Sequence, residues 1–268
     1  MWNALVTGDG DLPRVQRLLL RGYAAACGIG LLDRPWVARG VEWGYLCYKR
    51  FYEAPAARHL RALIPPGAYV MDVGANIGFY TDYFARWVHC GGRVLALEPE
   101  ARNLRRLRSR LREAIADGRV EVLPVAVSDH VGSGSLRINP FHPGDHVLTV
   151  ASGKGAVEVE TQTIDALMEA RSWPSLALVK LDIQGAELHA LRGARETIRR
   201  CRPAWLIELD PRLMEERFGV RVDALLRMMG GCGYRIFRLT RKGIAGPIEV
   251  GQVLRVLSRR RYEDLLFR

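Results

Sequence analysis

Short apolar runs alternate with amphipathic helical patterns over most of the chain, from about residue 69 onwards. This alternation is typical of βαβ units and predicts a mostly parallel α/β sheet with helices on both faces. The predicted strands are residues 69–73, 94–97, 120–127, 176–181, 204–209, 234–239 and 253–257. Open α/β sheets bind ligands at the carboxyl ends of their strands, so we expect the functional residues to lie there.

The segment before the sheet has a different pattern. Apolar residues recur at helical spacing among arginines over residues 12–26 and 45–64, and two prolines and a glycine follow at 65–67. This pattern predicts an N-terminal helical extension, residues 1–66, ahead of a main domain, residues 67–268.

A second departure lies between the third and fourth predicted strands. Residues 135–139 and 156–163 alternate with period two, which predicts a half-exposed β-ribbon insertion. The loop between them carries turn residues and two histidines, His142 and His146. Long loops over strand ends often carry function, so His146 is a candidate for a catalytic proton acceptor, although two loop histidines are more often incidental.

The loop after the first strand is the most informative segment. The strand ends in Asp72, and the chain then turns through Gly74, Asn76 and Gly78 into a helical pattern. Glycines at this spacing let the backbone approach a ligand closely, and amides at the helix start can face its polar groups. A carboxylate at Asp72 would repel a pyrophosphate but would attract a sulfonium or an ammonium group. The loop therefore predicts a cradle for a cationic nucleoside.

A second acidic residue supports a nucleoside ligand. Glu98 ends the second predicted strand 26 positions after Asp72, near the roughly 20-residue offset at which an acid binds a ribose diol. Ser128 and Asp129 follow the third strand, where an adenine ring is expected. For Asp129, ordinary turn chemistry is an equally good interpretation.

The fourth predicted strand carries a charged pair that a buried strand does not ordinarily contain. Lys180 and Asp182 lie two residues apart, so they project from the same face at the carboxyl end of the strand. Asp182 is the candidate for orienting or deprotonating an acceptor, and Lys180 for keeping that carboxylate ionised or stabilising oxyanion charge. The alternative is a buried structural pair. Glu187 in the following helix and Glu208 at the end of the fifth predicted strand are candidates to border the same crevice. For each of them alone, a capping or solvated carboxylate is at least as good an interpretation.

Composition changes this picture only slightly. The net charge of +11 permits an anionic partner, such as nucleic acid or a membrane surface, but only four of the 40 basic residues are lysines. Such an arginine excess also arises from genomic base composition. The five cysteines are scattered and form no zinc pattern, which favours a reducing, cytoplasmic location. No residue is assigned as a metal ligand, although His142 and His146 could contribute to a metal site, and metal dependence stays open. No apolar stretch is long enough to span a bilayer.

Five segments, taken in order, resemble the FkbM family of methyltransferases. They are DVGANIGFYT, LALEPE, LPVAVSDHVGSGSL, PGDH and VKLDIQGAELHALRGA, within about residues 69–208. The resemblance implies a Rossmann-like, seven-stranded methyltransferase sheet with S-adenosylmethionine as the donor. It also implies O-methylation of a hydroxyl group on a sugar, a glycolipid or polysaccharide, or a natural product. By the same resemblance, Asp72, Gly74, Asn76, Gly78 and Glu98 correspond to donor-binding residues, and Lys180 and Asp182 to the family's strand-four pair.

One position departs from the family pattern. The family usually has D-x-E-G-x-E in the fourth segment, whereas Gln184 stands here in place of the first glutamate. The change puts substrate preference or activity in doubt. Two alternatives therefore stay open: an RNA methyltransferase, which the charge permits, and a nucleoside-binding protein with impaired catalysis. The sequence does not identify the acceptor or the oligomeric state.

Overall fold

Two β-sheets and the helices packed on them form the protein, as seen in a computed structural model that describes residues 35–52, 54–139, 146–149 and 156–268. The strands, numbered in chain order, are β1 (Tyr69–Val73), β2 (Val94–Leu97), β3 (Val120–Leu123), β4 (Ala126–Val127), β5 (Gly132–Arg137), β6 (Val147–Thr149), β7 (Ala156–Gln162), β8 (Leu176–Leu181), β9 (Ala204–Leu209), β10 (Ile236–Thr240), β11 (Gly243–Ile248) and β12 (Glu263–Phe267).

The helices lie mostly between these strands. They are α1 (Pro35–Tyr52), α2 (Ala54–Ala57), α3 (Phe79–Trp87), α4 (Ala101–Arg110), α5 (Arg112–Ala116), α6 (Ile164–Glu169), α7 (Glu187–Arg192), α8 (Arg195–Cys201), α9 (Pro211–Phe218), α10 (Val222–Gly231) and α11 (Val250–Leu257), with a 3₁₀ helix at Arg58–Leu63. None of the described helices is both long and apolar enough to cross a membrane.

The main sheet has the strand order β11-β10-β12-β9-β8-β1-β2-β3. The five strands from β9 to β3 run parallel, and β12 lies antiparallel between β9 and β10. The predicted mostly parallel α/β fold is therefore confirmed. The sheet has eight strands rather than seven, because β11 forms a hairpin with β10 at one edge.

The β-ribbon prediction is also confirmed, within a small second sheet. β5 and β7 pair antiparallel, and the order of this sheet is β4-β7-β5-β6. The predicted strand 120–127 is in fact two strands, since β3 stays in the main sheet while β4 pairs with β7. Pro124 lies between them, where a residue without an N–H cannot extend the ladder.

The last predicted strand is wrong. Residues 253–257 belong to helix α11, and the strand in that region is β12. Val253 and Leu257, four residues apart, are buried, while Leu254 is 39% exposed, which is the spacing of one helix face. Glu249 and Gln252 form a capping box that begins this helix.

The N-terminal helical prediction is confirmed only in part. Residues 12–26 lie outside the described residues, while 45–64 fall in α1, α2 and the 3₁₀ helix, with residue 53 not described. Ala57, Leu60 and Ile64 are buried against the main sheet. Fully burying a side chain such as Leu60 stabilises the fold by roughly 1.5–3 kcal/mol.

The two faces of the main sheet have separate cores. The face beneath the N-terminal helices carries an apolar stripe from four adjacent strands, which consists of Val70, Leu178, Leu206 and Leu266. The opposite face carries Met71, Val179, Trp205 and Phe267, among others. Because side chains alternate along a strand, residues two positions beyond the stripe lie on the same face as the stripe.

Candidate active site

The glycine turn after β1 brings two loops into close contact. Gly74 and Gly78 both have left-handed backbone, with φ of 78° and 81°. A Cβ on Gly74 would lie 2.1 Å from the carbonyl oxygen of Asp182. The predicted turn is therefore packed directly against the loop after β8, and position 74 has no space for a side chain.

Asp72 lies almost fully buried at the end of β1. The Thr81 hydroxyl donates to its Oδ2 at 2.6 Å, and Lys180 Nζ lies 4.0 Å from Oδ1. Oδ1 is itself buried and accepts no hydrogen bond from the described residues. Burial raises the pKa of Asp72, and Lys180 and Thr81 partly oppose that increase. One carboxylate oxygen is thus left for a further donor.

The second predicted acid, Glu98, holds the glycine turn in place. Its Oε2 accepts the Asn76 backbone N–H at 2.8 Å, and its Oε1 accepts the Glu100 N–H at 2.9 Å. The Asn103 amide lies 3.5 Å from the same Oε1. Burial raises the pKa of Glu98 to about 7. An ionised carboxylate has about four acceptor positions, so one remains for a ligand hydroxyl.

Ser128 and Asp129 are adjacent to a pair of histidines. Ser128 is buried and its hydroxyl donates to Asp129 Oδ1 at 3.3 Å. The Nδ1 atoms of His130 and His189 lie 3.0 Å and 2.8 Å from the two Asp129 oxygens. Burial raises the pKa of Asp129, but these histidine contacts outweigh it and lower the pKa to about 2. Asp129 therefore has less capacity to accept from a ligand than the sequence suggests.

Lys180 and Asp182, the charged pair at the end of β8, have the predicted geometry. Lys180 is buried, and its Nζ donates to Asp182 Oδ2 at 3.1 Å and lies 4.8 Å from the centre of the Tyr80 ring. Burial lowers the pKa of Lys180, but Asp182 and Asp72 outweigh burial and the net pKa is raised. Lys180 therefore bridges the acids of two adjacent strands and connects the two halves of the candidate site.

The loop after β8 is built around Asp182. Gln184 has left-handed backbone with φ of 56°, and its side-chain amide donates to Asp182 Oδ1 at 3.2 Å. Burial raises the pKa of Asp182, but Lys180, Lys49 and the Gln184 amide outweigh burial, so the pKa is lowered overall. The glutamine that departs from the family pattern is thus a hydrogen-bond donor to the candidate acceptor-binding carboxylate.

Glu187, at the start of α7, stabilises the same loop through hydrogen bonds to its backbone. Its Oε1 accepts the backbone N–H groups of Ile183 and Gly185, at 3.2 Å and 3.1 Å. Burial raises the pKa of Glu187 to about 7. The side-chain carboxyl group of Glu187 therefore holds the backbone of the loop.

Three charged residues near Asp182 were not assigned a role by the sequence. Glu208 ends β9 beside Asp182, and Asp264 of β12 pairs directly with Glu208. Lys49 of α1 lies near enough to lower the pKa values of Asp182 and Glu208. Only the strand-end position of Glu208 was visible in the sequence, because the other two residues approach from elements far away in the chain.

The ribbon loop is only partly described. His142 lies outside the described residues. His146 Nδ1 accepts the Asn139 backbone N–H at 3.2 Å, which closes the base of the loop. A catalytic role for His146 stays a prediction. Among the described residues, no group of three or more histidine, cysteine, aspartate or glutamate side chains has a geometry that could hold a metal ion.

The parallel sheet, its glycine turn and the acids at its strand ends define the class of this protein, a Rossmann-like methyltransferase. The sequence pattern of the Methyltransferase FkbM domain matches residues 72–236, which is more than half of the chain. The chain therefore belongs to the FkbM methyltransferase family.

Two characterised relatives are similar over much of the chain. The hexuronic acid methyltransferase AglP of Haloferax volcanii is 25% identical over 192 residues, which cover 72% of each chain. The 2-O-methyltransferase NoeI of Sinorhizobium fredii is 24% identical over 174 residues, which cover 58% of this chain and 69% of NoeI. The crystal structure of Methyltransferase FkbM from Methylobacillus flagellatus KT superposes with a TM-score of 0.47 and 20% identity, over 76% of this chain and 44% of that one.

Proposed function

We propose that this protein transfers a methyl group from S-adenosylmethionine to a hydroxyl group of a saccharide. The observation that carries the proposal is the bridge that Lys180 makes between Asp72 and Asp182. This bridge joins the glycine turn, which fits a nucleoside donor, to a carboxylate that fits a hydroxyl acceptor. The relative named for hexuronic acid methylation supports a saccharide as the acceptor, and the relative named a 2-O-methyltransferase supports transfer to oxygen.

The donor half fits a cationic nucleoside. Asp72 has a buried oxygen that accepts no hydrogen bond from the described residues, so a ligand's ammonium group would find an acceptor there. Glu98 has one remaining acceptor position for a ribose hydroxyl. The other residues proposed to hold the donor are Gly74, Asn76, Gly78, Ser128 and Asp129. S-adenosylmethionine, when bound, supplies a methyl group activated by its positive sulfur.

The acceptor half consists of side chains that orient a hydroxyl group. Asp182 is held on both oxygens, by Lys180 and Gln184, and the hydrogen bonds fix the carboxylate plane. Methyl transfer to oxygen is an in-line displacement, so the alignment of the nucleophile is a large part of catalysis. We therefore assign Asp182 to orienting the acceptor hydroxyl and Lys180 to keeping that carboxylate ionised.

Calorimetry tests the donor assignment directly. We expect S-adenosylhomocysteine to bind and NADH to bind far more weakly, because a pyrophosphate would face the carboxylate of Asp72. A preference for NADH would refute the donor half of the proposal.

A transfer assay tests the acceptor. Purified protein is incubated with radiolabelled S-adenosylmethionine and with uronic acid glycosides, neutral oligosaccharides or RNA in separate reactions. We expect label in the saccharides.

A variant tests the role of Asp182 in the same assay. Asp182→Asn should abolish transfer and leave S-adenosylhomocysteine affinity within about twofold. The matched control is Glu169→Gln, which replaces an exposed carboxylate on α6 and should behave as wild type. Label in RNA alone would refute a saccharide acceptor, and donor binding with no transfer to any class would indicate a binding protein.

A further inference from the structure

A row of charged residues continues the apolar stripe on one face of the main sheet. Asp72 pairs with Lys180 across β1 and β8, Lys180 pairs with Leu206 across β8 and β9, and Asp264 pairs with Glu208 across β12 and β9. Each charged residue lies two positions beyond its neighbour in the stripe, so all of them share its face. The row consists of Asp72, Lys180, Glu208 and Asp264, from four adjacent strands.

Glu208 differs from the other acids in its hydrogen bonding. Asp182 is held on both oxygens, and Asp72 accepts from the Thr81 hydroxyl. The half-buried carboxylate of Glu208, by contrast, makes no hydrogen bond or ion pair within the described part of the chain. A carboxylate at the site edge with unused acceptor positions can receive a proton without breaking an existing contact.

The charges around Glu208 also favour protonation. Burial raises its pKa well above the usual range, and the neighbouring carboxylates of Asp182 and Asp264 raise it further. Lys49 from α1 and Lys180 from β8 oppose the increase. At Asp182, burial also raises the pKa, but the two lysines and the hydrogen bonds outweigh burial and the pKa is lowered. Of the two carboxylates, Glu208 is the stronger base.

We propose that Glu208 takes the proton of the acceptor hydroxyl during transfer, while Asp182 orients that hydroxyl and Asp264 and Lys49 tune Glu208. This assignment rests on the proposed O-methyl transfer. As the acceptor oxygen bonds to the methyl carbon, the carbon–sulfur bond breaks and its electron pair stays on sulfur, giving a neutral thioether. The oxygen–hydrogen bond breaks at the same centre, and Glu208 later releases the proton to water.

The test compares rates and pH profiles with the saccharide acceptor that the transfer assay identifies. A base works only when ionised, so wild-type kcat/KM should rise with pH through the pKa of Glu208. Glu208→Gln should lower kcat/KM by about 10²- to 10⁴-fold, the usual contribution of a general base. It should also remove the rise of kcat/KM with pH, which is the acidic limb of the pH profile. Glu169→Gln is the matched control, and unchanged S-adenosylhomocysteine affinity shows that each variant is folded.

Two further variants should move the limb in opposite directions. Asp264→Asn removes a repelling charge, so the limb should move to lower pH. Lys49→Gln removes an attractive charge, so the limb should move to higher pH. A merely structural role for Glu208 would not produce this pair of opposite shifts.

A titration without an acceptor separates this inference from the proposed function. In protein labelled with ¹³C-glutamate, the carboxyl resonance that Glu208→Gln removes should titrate well above the ordinary range of glutamate. Asp264→Asn and Lys49→Gln should shift it down and up. The assignment would be overturned if Glu208 titrated in the ordinary range of glutamate. It would also be overturned if the wild-type protein methylated the acceptor and Glu208→Gln did so at a rate within about threefold of wild type. Absence of wild-type transfer to any acceptor, with the raised titration intact, would refute the proposed function and with it the proton transfer, while the electrostatic account of Glu208 would still hold.

Discussion

Replacing Gly74 with alanine tests the close contact between the glycine turn and the loop after β8. The new Cβ would lie 2.1 Å from the Asp182 oxygen, 3.0 Å from its carbonyl carbon and 3.2 Å from Ile183 Cγ2. Backbone atoms cannot yield as a flexible side chain does, so the two loops must separate by about 1 Å. The left-handed backbone costs alanine about 1 kcal/mol, and overpacking adds about 1–3 kcal/mol. A displacement of this size at a catalytic residue lowers rates by about 10²-fold.

Gly118 provides the matched control for this prediction. Its φ of 77° is nearly that of Gly74, but a Cβ there would meet no atom within 4 Å. Urea denaturation should therefore give Gly118→Ala a loss of about 1 kcal/mol in the free energy of unfolding, and Gly74→Ala a loss of about 2–4 kcal/mol. Methyl transfer should fall only in Gly74→Ala. Equal losses of stability in the two variants, or near-normal transfer by Gly74→Ala, would refute the close-contact reasoning.

Two further predictions concern the loop that carries Asp182. Burial raises the pKa of Glu187 from 4.5 to about 7, so native Glu187 keeps its proton over a pH range in which the unfolded chain loses it, and stability falls as pH rises through that range. Glu187→Gln should raise the free energy of unfolding by up to about 3 kcal/mol at pH 8 and by almost nothing at pH 4.5. Urea denaturation at both pH values measures this effect, and a difference between variant and wild type that does not change with pH would contradict this account. Gln184→Glu replaces the amide that donates to Asp182 with a repelling carboxylate, so transfer at pH 7 should fall about tenfold with donor affinity unchanged, and steady-state rates at or above wild type would rule out a supporting role for Gln184.

The sequence predicted best where a pattern repeats along one continuous segment. Asp72, Glu98 and Asp182 lie at strand ends as expected, because each follows an apolar run of strand length. The strand prediction for residues 253–257 was wrong because a five-residue apolar segment fits one turn of a helix as well as a strand. The capping residues Glu249 and Gln252 could have identified the helix.

The charges around the acceptor carboxylate were harder to predict. Lys49 precedes Asp182 by more than 100 residues, and Asp264 follows it by about 80. Their approach depends on strand order in the sheet and on how α1 packs, and neither leaves a local pattern. The pairing of Asp129 with His189 was missed for the same reason.

Lys49 and the glycine turn lie on opposite sides of the boundary of the region that matches the family. The helix that carries Lys49 precedes residues 72–236, the region that matches the family, whereas the turn falls within that region. Lys49 Nζ nevertheless lies 5.9 Å from the centre of the Phe79 ring, at the start of the helix that follows the glycine turn, and Lys49 also lowers the pKa of Asp182. A change of sequence in α1 would therefore be felt at both strand ends, so this helix and the two loops are expected to vary together.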